Sequence, residues 1–216
     1  MTFIKIFAGG VFATGMLAAA SSASASQVLY DDFDSDTATL NWPGDSVFLS
    51  IPQPGNVPGL PSVDLVSASD GFPNLVFDGN SVDLDGSTGS GFSPAGEIQS
   101  IASLALGDYT VQFEMAGNLR GAPAQTTRIS IGNSYQDLSP ASDQAFTLMT
   151  LYFHNVSGQL AFTDLGPADQ QGDLIDNVSV TTGVPEASTW AMMAIGFAGL
   201  GFAASRRGRK ASAAIA

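Results

Sequence analysis

The 216-residue chain has no cysteine, a single histidine and only seven Lys+Arg. Without cysteine there can be no disulfide, no thiolate metal centre and no cysteine nucleophile, whatever the redox compartment. One histidine, His154, cannot build a multi-histidine metal site. It stands beside Asn155 at the end of an apolar run with no sequence partner for a catalytic triad, and reads as a turn residue. The few bases face twenty Asp+Glu, for a formal charge of −13, which argues against a nucleic-acid partner held through phosphates. Charged residues make up 12% of the chain, with 24 Gly and 11 Pro, so short strands joined by turns are expected instead of long helices.

What is present begins with two apolar termini. Lys5 precedes an apolar run to Ala20, and Ala23 and Ala25 form an A-x-A pattern, so residues 1–25 read as a signal peptide cleaved by signal peptidase after Ala25. At the other end, the stretch between Glu186 and Arg206 is uncharged and, at about 1.5 Å per helical residue, just spans a hydrocarbon core of about 30 Å. A transmembrane helix is expected at about 187–205. Arg206, Arg207, Arg209 and Lys210 behind it set its topology, with the basic tail inside and the preceding domain outside.

The order Val184-Pro185-Glu186-Ala187-Ser188-Thr189-Trp190, apolar helix, basic cluster resembles the PEP-CTERM sorting signal of exopolysaccharide-producing Gram-negative bacteria. The resemblance covers residues 184–216 and departs from the family tripeptide at Ala187, where the second proline is expected. It implies recognition and processing by the membrane protease exosortase around Pro185, Glu186 and Ala187. It also implies a precursor held transiently in the inner membrane by its C-terminal helix. Pro185 interrupts helical backbone, so the segment outside the bilayer is extended for a protease to reach.

Between the termini, residues 26–183 alternate with period two. Tyr109, Val111, Phe113 and Met115 face one way and Thr110, Gln112 and Glu114 the other. Ile129 with Ile131, Leu160 with Phe162, and Leu174 with Val178 and Val180 repeat the pattern, while the run from Ala145 to Phe153 reads as a strand buried on both faces. Further strands are expected at Gln27–Phe33, Ser46–Ile51, Ser62–Ser67, Asn80–Leu84 and Glu97–Leu104, with a surface loop over Pro52–Pro61. The expectation is an all-β domain, a two-sheet sandwich of about nine strands.

By alternation Asp176 shares the apolar face of the last strand, where a carboxylate must be hydrogen-bonded, paired or metal-bound. Its segment, Gly172-Asp-Leu-Ile-Asp-Asn-Val-Ser-Val180, resembles the closing strand of jelly-roll carbohydrate-binding domains. That resemblance implies a jelly-roll-like sandwich and a structural Ca²⁺ held by Asp176 with acids of the first strand, here Asp32 and Asp34. The alternative is that Asp176 accepts backbone N–H bonds. The acidic stretch Asp83 to Gly91 fails as a calcium loop, because Thr88 and Pro94 stand where Gly and the bidentate Glu belong. Trp42, beside Pro43 and Gly44, and Tyr135 are the candidates for stacking on a sugar ring, against a core-plug alternative for the former.

Within residues 26–183, Arg120 and Arg128 stand against nineteen acids, a formal charge of −17. Such a surface keeps an exported protein soluble and supplies oxygen ligands for divalent cations. The expected protein is therefore non-catalytic, delivered to the cell surface or extracellular matrix and associated there with extracellular polysaccharide in biofilm or floc. The alternatives are a polysaccharide hydrolase, which needs two carboxylates about 5 to 10 Å apart, and a purely structural surface protein.

Overall fold

The alternating segments pair into nine antiparallel strands among the described residues. They are β1 (Gln27–Asp31), β2 (Phe48–Ile51), β3 (Asp64–Ser67), β4 (Asn80–Asp83), β5 (Glu97–Ala116), β6 (Thr127–Ile131), β7 (Ser134–Leu138), β8 (Thr147–Asp164) and β9 (Leu174–Thr182). The computed structural model describes residues 25–52, 62–87, 96–183 and 193–199. Residues 1–24 of the expected signal peptide, most of the Pro52–Pro61 loop, Pro185, Glu186, Ala187 and the basic residues Arg206, Arg207, Arg209 and Lys210 lie outside them. Of the expected transmembrane segment only residues 193–199 are described, and these are helical. Among the described residues no helix is long and apolar enough to cross a membrane.

All nine strands belong to one hydrogen-bonded sheet of order β3-β4-β9-β5-β8-β6-β7, with β1 on β9 and β2 on β5. The expectation is a two-sheet sandwich; the structure builds its layers from one continuous sheet folded over on itself. The β5–β8 ladder shows the fold directly. Phe162 of β8 is opposite Ile98, while Phe113 lies on the same β5 strand opposite Met149. The interval from Ile98 to Phe113 would run roughly 50 Å in a straight strand at about 3.3 Å per residue. Yet the Phe113 and Phe162 rings meet edge to face at 5.0 Å. The ladder must double back, and register shifts between Gln99 and Tyr109 mark where it does. Two layers then face each other, an arrangement consistent with a β-sandwich.

The bend also switches which parity of residue points inward. On β5, Ile98 and Ser100 are buried before the bend and Tyr109, Val111, Phe113 and Met115 after it. On β8 the switch falls at Asn155 and Gly158, whose φ values are 52° and 127°. A Cβ on Gly158 would lie 2.7 Å from the Gly132 Cα, and one on Gly132 would lie 2.2 Å from the Ser157 carbonyl oxygen. The β6–β7 turn therefore packs backbone to backbone on the β8 bend, which only glycine allows. Between the layers Phe33, Phe48, Phe113 and Phe162 are fully buried and in ring contact in sequence around the core. Each such ring contributes about 1.5–3 kcal/mol by leaving water.

One strand departs from expectation. The run Ala145–Phe153 is not buried on both faces. Residues before the β8 bend pair with β5 on one side only, and Leu148 and Tyr152 are 57% and 62% exposed. Leu151 and Phe153 point inward, so this half of β8 is a strand at the sheet margin with one apolar face open.

Candidate functional site

The aspartates expected to hold calcium sit where β1 leaves its pairing with β9. Asp31 lies opposite Val178, and Asp32 and Asp34 follow it. Asp176, on β9, is fully buried, as its parity requires. Ser81 donates its hydroxyl to Asp176 Oδ2 at 2.9 Å, and the Asn177 N–H donates to Oδ1 at 2.6 Å. Burial pushes the Asp176 carboxyl up to about 7, the Asp34 charge adds to this, and the bonds from Ser81 and Asn177 oppose it. Asp34 Oδ1 accepts the Asn80 N–H at 2.7 Å, while Asp32 accepts the Asp34 N–H and the Tyr30 hydroxyl. The structure thus places Asp34 within electrostatic reach of Asp176, but gives the carboxylates of this group protein donors. Among the described residues no three acidic side chains form a ready-made metal centre.

A second acidic group gathers where β4, β6, β8 and β9 end. Backbone bonds link Leu84 N to Asp173 O, Gly96 N to Leu84 O and Asp164 N to Gly96 O. Thr127 is opposite Asp164 and donates its hydroxyl to Asp173 Oδ2 at 2.8 Å, which closes a ring. Asp83, Asp85, Asp164 and Asp173 are all buried there. Arg120 reaches Asp83 and also donates to the Gly172 carbonyl. Asp85 Oδ2 accepts three successive backbone N–H groups, from Asp169, Gln170 and Gln171. Burial pushes Asp164 up to about 7, opposed by the Gly166 N–H and reinforced by the charges of Asp173, Asp85 and Asp83. It pushes Asp173 up to about 6, against the Thr127 hydroxyl.

The aromatic candidates divide. Trp42 is 2% exposed, packed edge to face on Phe33 at 5.8 Å, with its indole N–H donated to Asp36 at 2.9 Å. It is a core ring, and its buried faces are closed to a sugar. Tyr135 is 56% exposed on β7, but the Arg128 guanidinium lies 3.8 Å over its centroid, itself held by Asp137. One face of that ring is occupied.

The alternation that buries Val111 and Phe113 leaves an open face on the other side of the same strands. Tyr30, Ser179, Gln112 and Thr150 form a row in register across β1, β9, β5 and β8. Thr181, Thr110 and Tyr152 form the next. Tyr30 and Tyr152 are 49% and 62% exposed at opposite margins, offset by about 14 Å across three strand spacings and by two residues along the strands. Between them lie half-buried hydroxyls and an amide, Gln112 donating to Thr150 at 3.2 Å. An aromatic ring at each margin with hydrogen-bonding groups between is suited to a polyhydroxylated chain, whose ring faces stack and whose hydroxyls bond.

Beyond the strands, the C-terminal segment has a family of its own. Residues 183–207 match the PEP-CTERM protein-sorting motif. No curated protein is a sequence match for the chain. Solved structures similar to the chain include adhesin domains and carbohydrate-binding modules. One similar solved structure is the K3 cleaved adhesin domain of Lys-gingipain from Porphyromonas gingivalis, 14% identical with a TM-score of 0.45, covering 73% of this chain and 100% of that one. A family 35 carbohydrate-binding module from Clostridium thermocellum is 12% identical with a TM-score of 0.37, covering 67% and 98%. The C-terminal family 6 module of a laminarinase from Zobellia galactanivorans is also 12% identical, with a TM-score of 0.35 and coverage of 62% and 99%.

Sequence reasoning did not single out Tyr30, Gln112 or Tyr152. Their signal was present in the alternation: Tyr152 has opposite parity to Leu151 and Phe153, but the apolar Leu148 beside it hid the outer face. It also missed Gln125, which is 1% exposed.

Proposed function

We propose that this chain is an exported, exosortase-processed protein of the cell surface or extracellular matrix of a Gram-negative bacterium, non-catalytic, that associates with exopolysaccharide in biofilm or floc. The observation that carries the reading is the PEP-CTERM sorting motif at residues 183–207, placed directly after a folded β unit. The motif supports export and a membrane-anchored precursor, with signal peptidase and exosortase as processing partners. The open face between Tyr30 and Tyr152 supports a glycan ligand laid across the strands. Burial raises Asp164, Asp173 and Asp176 under the sheet and Glu114 beside Gln112 on that face; a single raised carboxylate there among the described residues, without a second to pair with, favours binding over hydrolysis.

Two measurements test the reading. Fractionation of a host that makes exosortase should find the protein in the matrix or at the surface, with a Pro185→Gly/Glu186→Ala variant retained in the membrane fraction. A glycan array and co-sedimentation of the full chain with the producer's own polysaccharide should show binding. Unchanged sorting of the variant contradicts the processing half, and absence of binding to every polysaccharide contradicts the ligand half.

A further inference from the structure

The buried acids where β4, β6, β8 and β9 end have a property that Asp32, Asp34 and Asp176 lack. Asp85 Oδ1, Asp164 Oδ2, Asp173 Oδ1 and Gln125 Oε1 are all buried without a hydrogen-bond partner. Ionised carboxylates and an amide oxygen only accept, so four such atoms together call for a donor or a cation. The orientation of Gln125 is fixed by its own bonds: Nε2 donates to Asp169 Oδ1 at 3.2 Å and to the Gln171 carbonyl at 3.1 Å. Its oxygen therefore points the other way, toward Asp164. A Cβ built on Gly166 would lie 1.3 Å from Gln125 Oε1 and 3.0 Å from Asp164 Oδ1, so only glycine leaves room for the Gln125 oxygen beside Asp164. Asp173 is tied to the same place by the Thr127 hydroxyl, and Asp85 by the loop amides of residues 169–171. Among the described residues the one base that reaches this end, Arg120, is committed to Asp83.

We propose that Asp85, Gln125, Asp164 and Asp173 form a divalent-cation site that takes Ca²⁺. Three carboxylates and one neutral amide oxygen are hard ligands, and irregular oxygen donors from four chain segments suit Ca²⁺ better than the strict octahedron of Mg²⁺. The oxygens do not yet converge as a finished centre. Binding draws them in and relieves the mutual repulsion of Asp164, Asp173 and Asp85. The site joins segments far apart in the chain, so its role is to lock the corner where the strands end. It is separate from the glycan face and does not depend on it.

The test uses the full chain in detergent, stripped with EDTA at pH 8. Equilibrium dialysis against calcium should find one bound ion, with a rise in melting temperature of about 5 °C at saturation. The Asp164→Asn/Asp173→Asn variant, which keeps shape and the Thr127 bond, should lose at least tenfold in calcium affinity, and Asp176→Asn should keep wild-type affinity. No bound ion at millimolar calcium overturns the proposal, as does loss of binding in Asp176→Asn with retention in the double variant. Dialysis of the wild-type chain decides the first point even if a variant misfolds.

Discussion

Asp173, the residue before β9, and Asp176, within it, lie three residues apart and are both fully buried, yet they face different surroundings. Asp176 has a donor on each oxygen, from Ser81 and Asn177. Asp173 has one oxygen on Thr127 and the other on nothing, and shares that condition with Asp85, Asp164 and Gln125. The difference teaches that a buried carboxylate is not in itself evidence of a metal. Where N–H and O–H groups meet it, the acid acts as a structural acceptor tying β9 to β4. Where they do not, something positive must come from outside the fold or the carboxyl must take up a proton.

The largest effect in this comparison is expected at its boundary. Replacing Arg120 with Leu leaves Asp83 buried without its cation and should cost about 3 kcal/mol in urea unfolding. Asp176→Ala removes the acceptor of the Ser81 hydroxyl and the Asn177 N–H, and should cost about 2 kcal/mol whether or not calcium is present. A calcium-dependent cost there would break the distinction drawn between the two groups.

The pH response is smaller and has a definite sign. Asp164 and Asp176 at about 7 and Asp173 at about 6 hold protons that an unfolded chain releases near pH 4. Between those limits the folded state binds more protons, so stability falls as pH rises from about 4 to about 7. In EDTA the melting temperature should be higher at pH 5 than at pH 8, and calcium should close that gap by stabilising the pH 8 form. The Asp164→Asn/Asp173→Asn variant should make the profile shallower, with Asp176 still titrating. The smallest effect on stability belongs to Tyr152→Ala, since an exposed side chain at the sheet margin leaves no cavity.

Much of the fold was legible because the strands alternate cleanly. Tyr109 to Met115 and Leu174 to Val180 bury the residues their parity demands, and Asp176 among them. β7 was not legible: Ser134–Leu138 buries no side chain fully, so no apolar alternation marks it. The joining of two short segments into β5, and of two into β8, was hidden because the bend reverses parity midway. Of the candidate residues, Trp42 gave no sign of which face it would find, and its indole partner Asp36 lies in the same loop region. The Asp85, Gln125, Asp164 and Asp173 group was beyond reach of the sequence, since it exists only through the backbone ring that brings four distant segments together.

Affinity electrophoresis in the producer's exopolysaccharide tests the central claim most directly, comparing the full chain with its Tyr30→Ala/Tyr152→Ala variant. The account predicts that the wild-type chain is retarded and that the variant, with unchanged melting temperature, loses at least tenfold in affinity. Equal retardation of both would contradict a glycan-binding face between β1 and β8.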